Sequence, residues 1–292
     1  MIISRIIGGL GNQMFQYAVG RALSLERNMP FLVDVSQFEN YDRHQGFELA
    51  RIFNCSPQIA TKNDVRGVLG SQSFSIIKKI VSRPFMTSLR RQEFVLEPHF
   101  HFWRGVDTTP SVCYLQGYWQ SQRYYEKHLP AIREDFTFKL PLMGKNVDLA
   151  AHISQENAVS LHVRRGDYLS NKKTTALHGL CSIDYYREAI QNISSKIENP
   201  VFFIFSDDIA WVKKNLKMEF ACHYVDHNQG IESFNDMRLM SLCRHNIIAN
   251  SSFSWWGAWL NPNQNKLVIA PKKWFAISIN TEDLLPDGWI SL

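Results

Sequence analysis

Ala158-Val159-Ser160-Leu161-His162-Val163-Arg164-Arg165-Gly166-Asp167-Tyr168 is the stretch from which the rest of this chain can be read. Its apolar run, Val159 to Val163, has the length of a buried strand and ends in two adjacent arginines. Each guanidinium keeps its charge and offers a fork of donors matched to phosphate or carboxylate. Two of them at the end of a buried strand are costly unless an anion waits there. In an open α/β sheet the carboxyl ends of the strands are where ligands bind. The stretch therefore predicts a parallel sheet with a phosphate-bearing ligand at its edge. His162 faces away from Leu161 and Val163, either as a satisfied core histidine or as part of that site.

Outward from this strand the pattern alternates. Toward the C-terminus it predicts a helix over 183–197 and a strand over 201–205 that ends in Ser206-Asp207-Asp208. A helix over 234–243 and a strand over 245–249 follow, the latter ending in Asn250-Ser251-Ser252 before a helix from about Ser254. Lys266 to Ala270 reads as a further strand, closed by Pro271. Toward the N-terminus, Ile2–Ile7, the turn Gly8-Gly9-Leu10-Gly11, a helix from Asn12 to about Arg27 and Phe31–Val35 form a βαβ opening. The middle, from about 40 to 130, is aromatic-rich and irregular. Leu140-Pro141-Leu142-Met143-Gly144-Lys145-Asn146 breaks the pattern, which divides the chain into one α/β domain over 1–145 and a second over 146–292. Two such halves would bind a ligand in a cleft between them.

Composition narrows the classes. The 292 residues carry a formal charge of +5, too diffuse for a nucleic-acid stripe and suited to a small anionic substrate or an acidic membrane surface. The five cysteines at 55, 113, 181, 222 and 243 have no Cys-x-x-Cys spacing, which argues against structural zinc and for reduced thiols. The longest clean apolar run, Val201–Phe205, cannot span a bilayer, and the N-terminus lacks the apolar region of a secretory signal. The expectation is a soluble cytoplasmic protein, with peripheral contact at the inner face of the membrane allowed.

Each candidate site has a plain reading beside it. Gly9-x-Gly11 with Asp34 fits part of a dinucleotide fingerprint and motivates an NAD(P)- or flavin-dependent oxidoreductase, but position 14 is Met where a third glycine belongs. The plain reading there is a tight turn. Ser206-Asp207-Asp208 and Asn250-Ser251-Ser252-Phe253-Ser254 could bind nucleotide or merely cap helices. Their repetition at successive strand ends, with Arg164-Arg165, favours one nucleoside diphosphate: arginine and serines for phosphate, Asp207 for ribose or base. No Asp-x-Asp motif, P-loop or Gly-x-Ser-x-Gly elbow occurs, so no metal and no cofactor are expected, and arginine must meet the diphosphate charge. A non-enzymatic glycan-binding module would account for the aromatics and leave the arginines without a purpose.

The segments 8–18, His162-x-Arg164-Arg165-x-Asp167-Tyr168, Phe205-Ser206-Asp207-Asp208 and 250–261, with Ser252-Phe253-Ser254-Trp255-Trp256, together resemble glycosyltransferase family 11, the α-1,2-fucosyltransferases. The resemblance implies a GT-B arrangement, two Rossmann-like domains facing across a cleft, and an inverting, metal-independent transfer. The donor would be GDP-β-L-fucose and the acceptor the 2-hydroxyl of a terminal galactose, in bacteria often on a lipid-linked O-antigen or capsule repeat. It puts Arg164 and Arg165 on the β-phosphate, His162 and Asp167 in the ordering of that loop, and Asp207 on the nucleoside. Asn250, Ser251, Ser252 and the Phe253 amide would complete the phosphate pocket. Gly9, Gly11 and Asn12 would approach the sugar, while Trp255 and Trp256 would pack. For the general base, Asp42, His44 and Glu48 lie in the acceptor-side half with nothing to single one out.

Overall fold

The computed structural model describes residues 1–40, 45–166 and 172–292, so Asp42, His44, Asp167 and Tyr168 lie outside the described residues. The chain divides into two units, Met1–Lys139 with Glu282–Leu284, and Leu140–Thr281 with Leu285–Leu292.

The first unit is built on five parallel strands: β1 (Ile2–Arg5), β2 (Phe31–Asp34), β3 (Gln58–Ile59), β4 (Phe94–Leu96) and β5 (Cys113–Gln116), in the order β3-β2-β1-β5-β4. The Leu10–Arg27 helix connects β1 to β2. It lies close on the sheet because position 20 is glycine: a Cβ there would stand 2.3 Å from the Phe31 ring and 3.0 Å from the Ser4 Cβ. The helix ends at Asn28, whose left-handed φ of 51° turns the chain into β2. Ile3, Leu32, Phe94 and Tyr114 pack against Val65, Val68 and Leu69 of the Lys62–Leu69 helix. Strands β3, β4 and β5 fall in the stretch that reads as irregular. They are two to four residues long and stand among aromatics and turn residues that blur their pattern.

The second unit has six parallel strands: β6 (Asn157–Val163), β7 (Pro200–Ser206), β8 (Cys222–Val225), β9 (His245–Ile247), β10 (Val268–Ala270) and β11 (Ile290–Ser291). Their order is β11-β10-β9-β6-β7-β8. Counted from β6, that is the 3-2-1-4-5-6 order of a dinucleotide-type doubly wound sheet. Alternate residues feed opposite faces. Val159, Leu161, Val163, Phe202 and Ile204 join Tyr186, Ala189 and Ile193 of the Ile183–Ser194 helix. Ala158, Phe203 and Phe205 join Ile153, Leu239 and Met240 on the other side. Both faces are covered, which is why β6 and β7 read as near-continuous apolar runs. Trp255 and Trp256 are wholly buried, as packing requires.

Candidate functional site

In a 3-2-1-4-5-6 sheet the strand order reverses between the first and fourth strands, here β6 and β9, and the ligand crevice opens at their carboxyl ends. Residues 164–166 follow β6 and residues 250–253 follow β9, so the predicted arginines and serines meet at that switch point. The His162 ring, buried on the face opposite Leu161, stands 5.9 Å from the Phe253 ring and joins the two loops.

Register puts Val163 beside Ser206, so the residues after β6 stand level with Asp207. The Asp207 carboxylate accepts the Arg165 amide at 2.8 Å and the Gly166 amide at 2.9 Å, and lies 3.3 Å from Nη1 of Arg164. A Cβ on Gly166 would stand 3.1 Å from the Asp207 Oδ2, so glycine lets the carboxylate close over the loop. Asp207, expected on the nucleoside, is thus bonded to the arginine loop itself.

The two arginines take different partners. Arg164 is paired with Asp207 and keeps its side chain 25% exposed. Arg165 lays its guanidinium 3.5 Å from the centre of the Trp211 ring, with Nε buried and 4.0 Å from Asp208. Asp208 caps the Ile209–Asn215 helix by accepting the Trp211 amide at 3.0 Å. The capping role weighed for that residue is therefore present, and it holds the Trp211 on which Arg165 rests. Neither Trp211 nor its contact was legible, because an isolated Trp in a helix reads as packing.

After β9, Asn250 is buried and its amide donates to the carbonyls of His178 and Trp274 at 2.9 and 3.2 Å. It ties loops together. Ser251 caps the Ser252–Leu260 helix, accepting the Phe253 amide at 3.3 Å. Half-buried Ser252 and Phe253 begin that helix, whose N-terminus favours an anion.

A further group follows β8. Asn228 donates to Asp236 at 2.8 Å and exchanges amide bonds with Asn146, while His227 Nε2 lies 2.8 Å from the Asn146 Oδ1. Burial pushes the Asp236 carboxyl up to about 7, against the lowering by Asn228. In the sequence Asp236 reads only as an acid in a first helical turn.

In the first unit the corresponding reversal lies between β1 and β5. Gly8, with φ of +79°, makes the turn after β1, and a Cβ there would stand 2.9 Å from the Asn12 Nδ2. Gly9 is the helix N-cap in an extended conformation and Gly11 lies in the first turn. Gln13 and Gln16, three apart on one helix face, work as clamps. Gln13 donates to the carbonyls of Gly8 and Gly46 and accepts the Glu48 amide. Gln16 accepts the Ile7 amide and donates to the Gly117 carbonyl. Asn12 is held across the reversal by Gln120, whose Nε2 donates to its Oδ1 at 2.8 Å.

The turn before Gln120 is set by Glu97, which follows β4. Glu97 accepts the Tyr118 amide at 2.6 Å and the Trp119 amide at 3.0 Å, fixing a turn in which Trp119 has a φ of +56°. Burial pushes the Glu97 carboxyl up to about 7, although both amides favour its charge. Glu48, named as a base candidate, is tied to Arg51 at 3.0 Å, and burial raises its pKa.

The dinucleotide reading fails here. Asp34 is buried and accepts the Tyr114 hydroxyl at 2.6 Å and the Ser36 amide at 3.0 Å, with Lys78 3.7 Å away. Burial is the largest single influence on it and raises its pKa, but the hydrogen bonds and the Lys78 ammonium together outweigh burial and hold it low. An acid so placed braces β2 against β5.

The two-unit α/β architecture matches the fucosyltransferase NodZ from Bradyrhizobium with a TM-score of 0.57 at 12% identity, over 89% of this chain and 93% of that one. That fold is the GT-B arrangement. The chain belongs to glycosyl transferase family 11, whose model matches residues 73–292. It is 37% identical to an alpha-1,2-colitosyltransferase of Escherichia coli, over 100% of this chain and 99% of that protein. It is 33% identical to the O-antigen biosynthesis glycosyltransferase WbnK of Escherichia coli, over 99% of each. Membership of this family removes the oxidoreductase alternative.

Proposed function

We propose that this enzyme transfers L-fucose from GDP-β-L-fucose, with inversion, to the 2-hydroxyl of a terminal galactose in a bacterial surface polysaccharide repeat such as an O-antigen. The observation that carries the reading is Arg164, braced by Asp207 at the switch point of the second sheet. Arg164 meets the β-phosphate and the charge that develops on departing GDP. Arg165, resting on Trp211, adds to the positive field and keeps the loop in place. The Ser251–Phe253 helix start supplies N–H donors to the diphosphate, and His162 positions Phe253. Asp207 acts on the donor through the loop that it holds. Asp167, the next residue in sequence, is assigned the same ordering task. Asn12 of the first unit, with Gly9 and Gly11 beside it, is assigned to the sugar.

A second donor has a specific motive in the colitosyltransferase relative. Colitose is L-fucose without its 3-hydroxyl, and a site built to bond that hydroxyl rejects the deoxy sugar by about 10⁴-fold or more. GDP-fucose and GDP-colitose should be offered in competition with β-1,3- and β-1,4-linked galactosides in excess EDTA. The reading expects GDP release and an α-1,2-fucoside identified by NMR. Preference for GDP-colitose would move the assignment to the second donor. Release of GDP with neither sugar transferred to any galactoside would sink both.

A further inference from the structure

Between the Lys62–Leu69 helix and β4 the chain makes an excursion whose ends are tied together. Gln72 donates to the Leu89 carbonyl at 2.8 Å and accepts the Arg91 amide at 3.1 Å. Within it the Ser75–Val81 helix turns Ile77 and Val81 onto the core, and Lys78 inward to the Tyr114 hydroxyl at 3.0 Å. The residues between these are left outside. Ile76 is 74% exposed, Phe85 70%, Leu89 65%, Phe74 54% and Ile80 41%. A surface this apolar over one short segment calls for a covering partner.

Its charge says which. Residues 74–91 contain Lys78, Lys79, Arg83, Arg90 and Arg91 and no acid, although Lys78 is spent inward on Asp34 at 3.7 Å and Arg91 pairs with Glu93 at 3.2 Å. The cations stand among the apolar side chains: Arg66 lies 5.7 Å from the centre of the Phe74 ring, and Arg83 lies 6.0 Å from that of Phe85. Lys79 and Arg83 are exposed with no acid among residues 74–91, and Arg91 is exposed with its Nε paired to Glu93. We propose that the 74–91 excursion docks this enzyme on an anionic lipid bilayer. Phe74, Ile76, Ile80, Phe85 and Leu89 enter the headgroup–acyl boundary, and the surrounding lysine and arginines meet lipid phosphates. A second copy is a poorer fit, because a two-fold face would set the same cations against one another. Phosphates of a nucleic acid would meet the cations and leave the aliphatic side chains uncovered. The proposal does not rest on the transferase reading and is tested without turnover.

The full chain is sedimented with vesicles of phosphatidylcholine and with vesicles of equal phosphatidylcholine and phosphatidylglycerol, at 50 mM and 500 mM NaCl. Binding is expected to the anionic vesicles at low salt and to fall at high salt. The exposed triple variant Ile76→Ser, Phe85→Ser, Leu89→Ser should lose at least about tenfold in binding, its side chains lying outside the core. Lys79→Gln and Arg83→Gln, which leave the apolar side chains in place, should each lose about fivefold, from roughly 1 kcal/mol per cation. Equal binding to both vesicle types, or binding unchanged in the charge variants, overturns the proposal. So does a concentration-dependent dimer, seen by sedimentation velocity without lipid, that the triple variant abolishes.

Discussion

At the scale of single residues, the site depends on what each arginine touches. Arg164→Ala should lower kcat/KM for the donor by about 10² to 10³, the effect of removing one donor from a developing oxyanion. Arg164→Lys should restore little, since a point charge replaces a fork. Arg165→Ala and Trp211→Ala should cost less, cost similar amounts and fail to add in the double variant, because they are two halves of one stacked contact. Donor steady-state kinetics on the four proteins decides this, and full additivity would count against it. Gly166→Ala should weaken donor binding, since its Cβ would press on Asp207 at 3.1 Å. Gln120→Ala should lower kcat more than it raises the KM for the donor, because it frees the Asn12 amide without removing it.

At the scale of elements, two helix starts serve different ends. Ser251 caps the Ser252–Leu260 helix, so Ser251→Ala should cost about 1 kcal/mol of stability. Ser251→Asp keeps a capping acceptor and adds a negative charge where the phosphates are expected. It should unfold near the wild-type temperature yet bind GDP at least about tenfold more weakly by calorimetry. Unchanged GDP affinity would remove this helix start from the phosphate site. The glutamines of the Leu10–Arg27 helix illustrate the other use of polar side chains: Gln13 and Gln16 are buried and spend their amides on three separate backbone segments. Much of the Gly-Asn-Gln-x-x-Gln signature is therefore architecture, and Asn12 is its member in contact with Gln120 across the sheet reversal.

At the scale of the whole molecule, two half-buried carboxyls leave a pH signature. Glu97 and Asp236 are both pushed up to about 7 by burial, while in the unfolded chain they ionise in the ordinary carboxyl range. The folded protein then binds more protons than the unfolded chain between those limits. The stability they contribute is complete below the unfolded values and is lost as pH rises through about 7. Urea unfolding from pH 5 to 8 should show this fall, and Glu97→Gln with Asp236→Asn should flatten it. An unchanged slope in the double variant would assign the pH dependence to other groups.

The strands set off by clear turn signals were legible: β1, β2, β6, β7, β9 and β10 all overlap segments that read as strands and are bounded by glycine, proline or small polar residues. So did the residues whose chemistry is costly where they stand, the paired arginines at a strand end and the small donors before a helix. These depend on local periodicity and on the free energy of burying charge, which the order of residues alone determines. What only the tertiary structure decided is partnership. The 3-2-1-4-5-6 order that makes β6 and β9 neighbours, Asp207 folding back onto the arginine loop, Arg165 on Trp211, Glu97 on the Tyr118 and Trp119 amides, and Gln120 on Asn12 all join residues that the folded chain, and not sequence spacing, brings together. A carboxylate at a strand end has the same chemistry whether it faces a ribose or a backbone amide. Which it meets is set by the register of the neighbouring strand, and register is a property of the folded sheet.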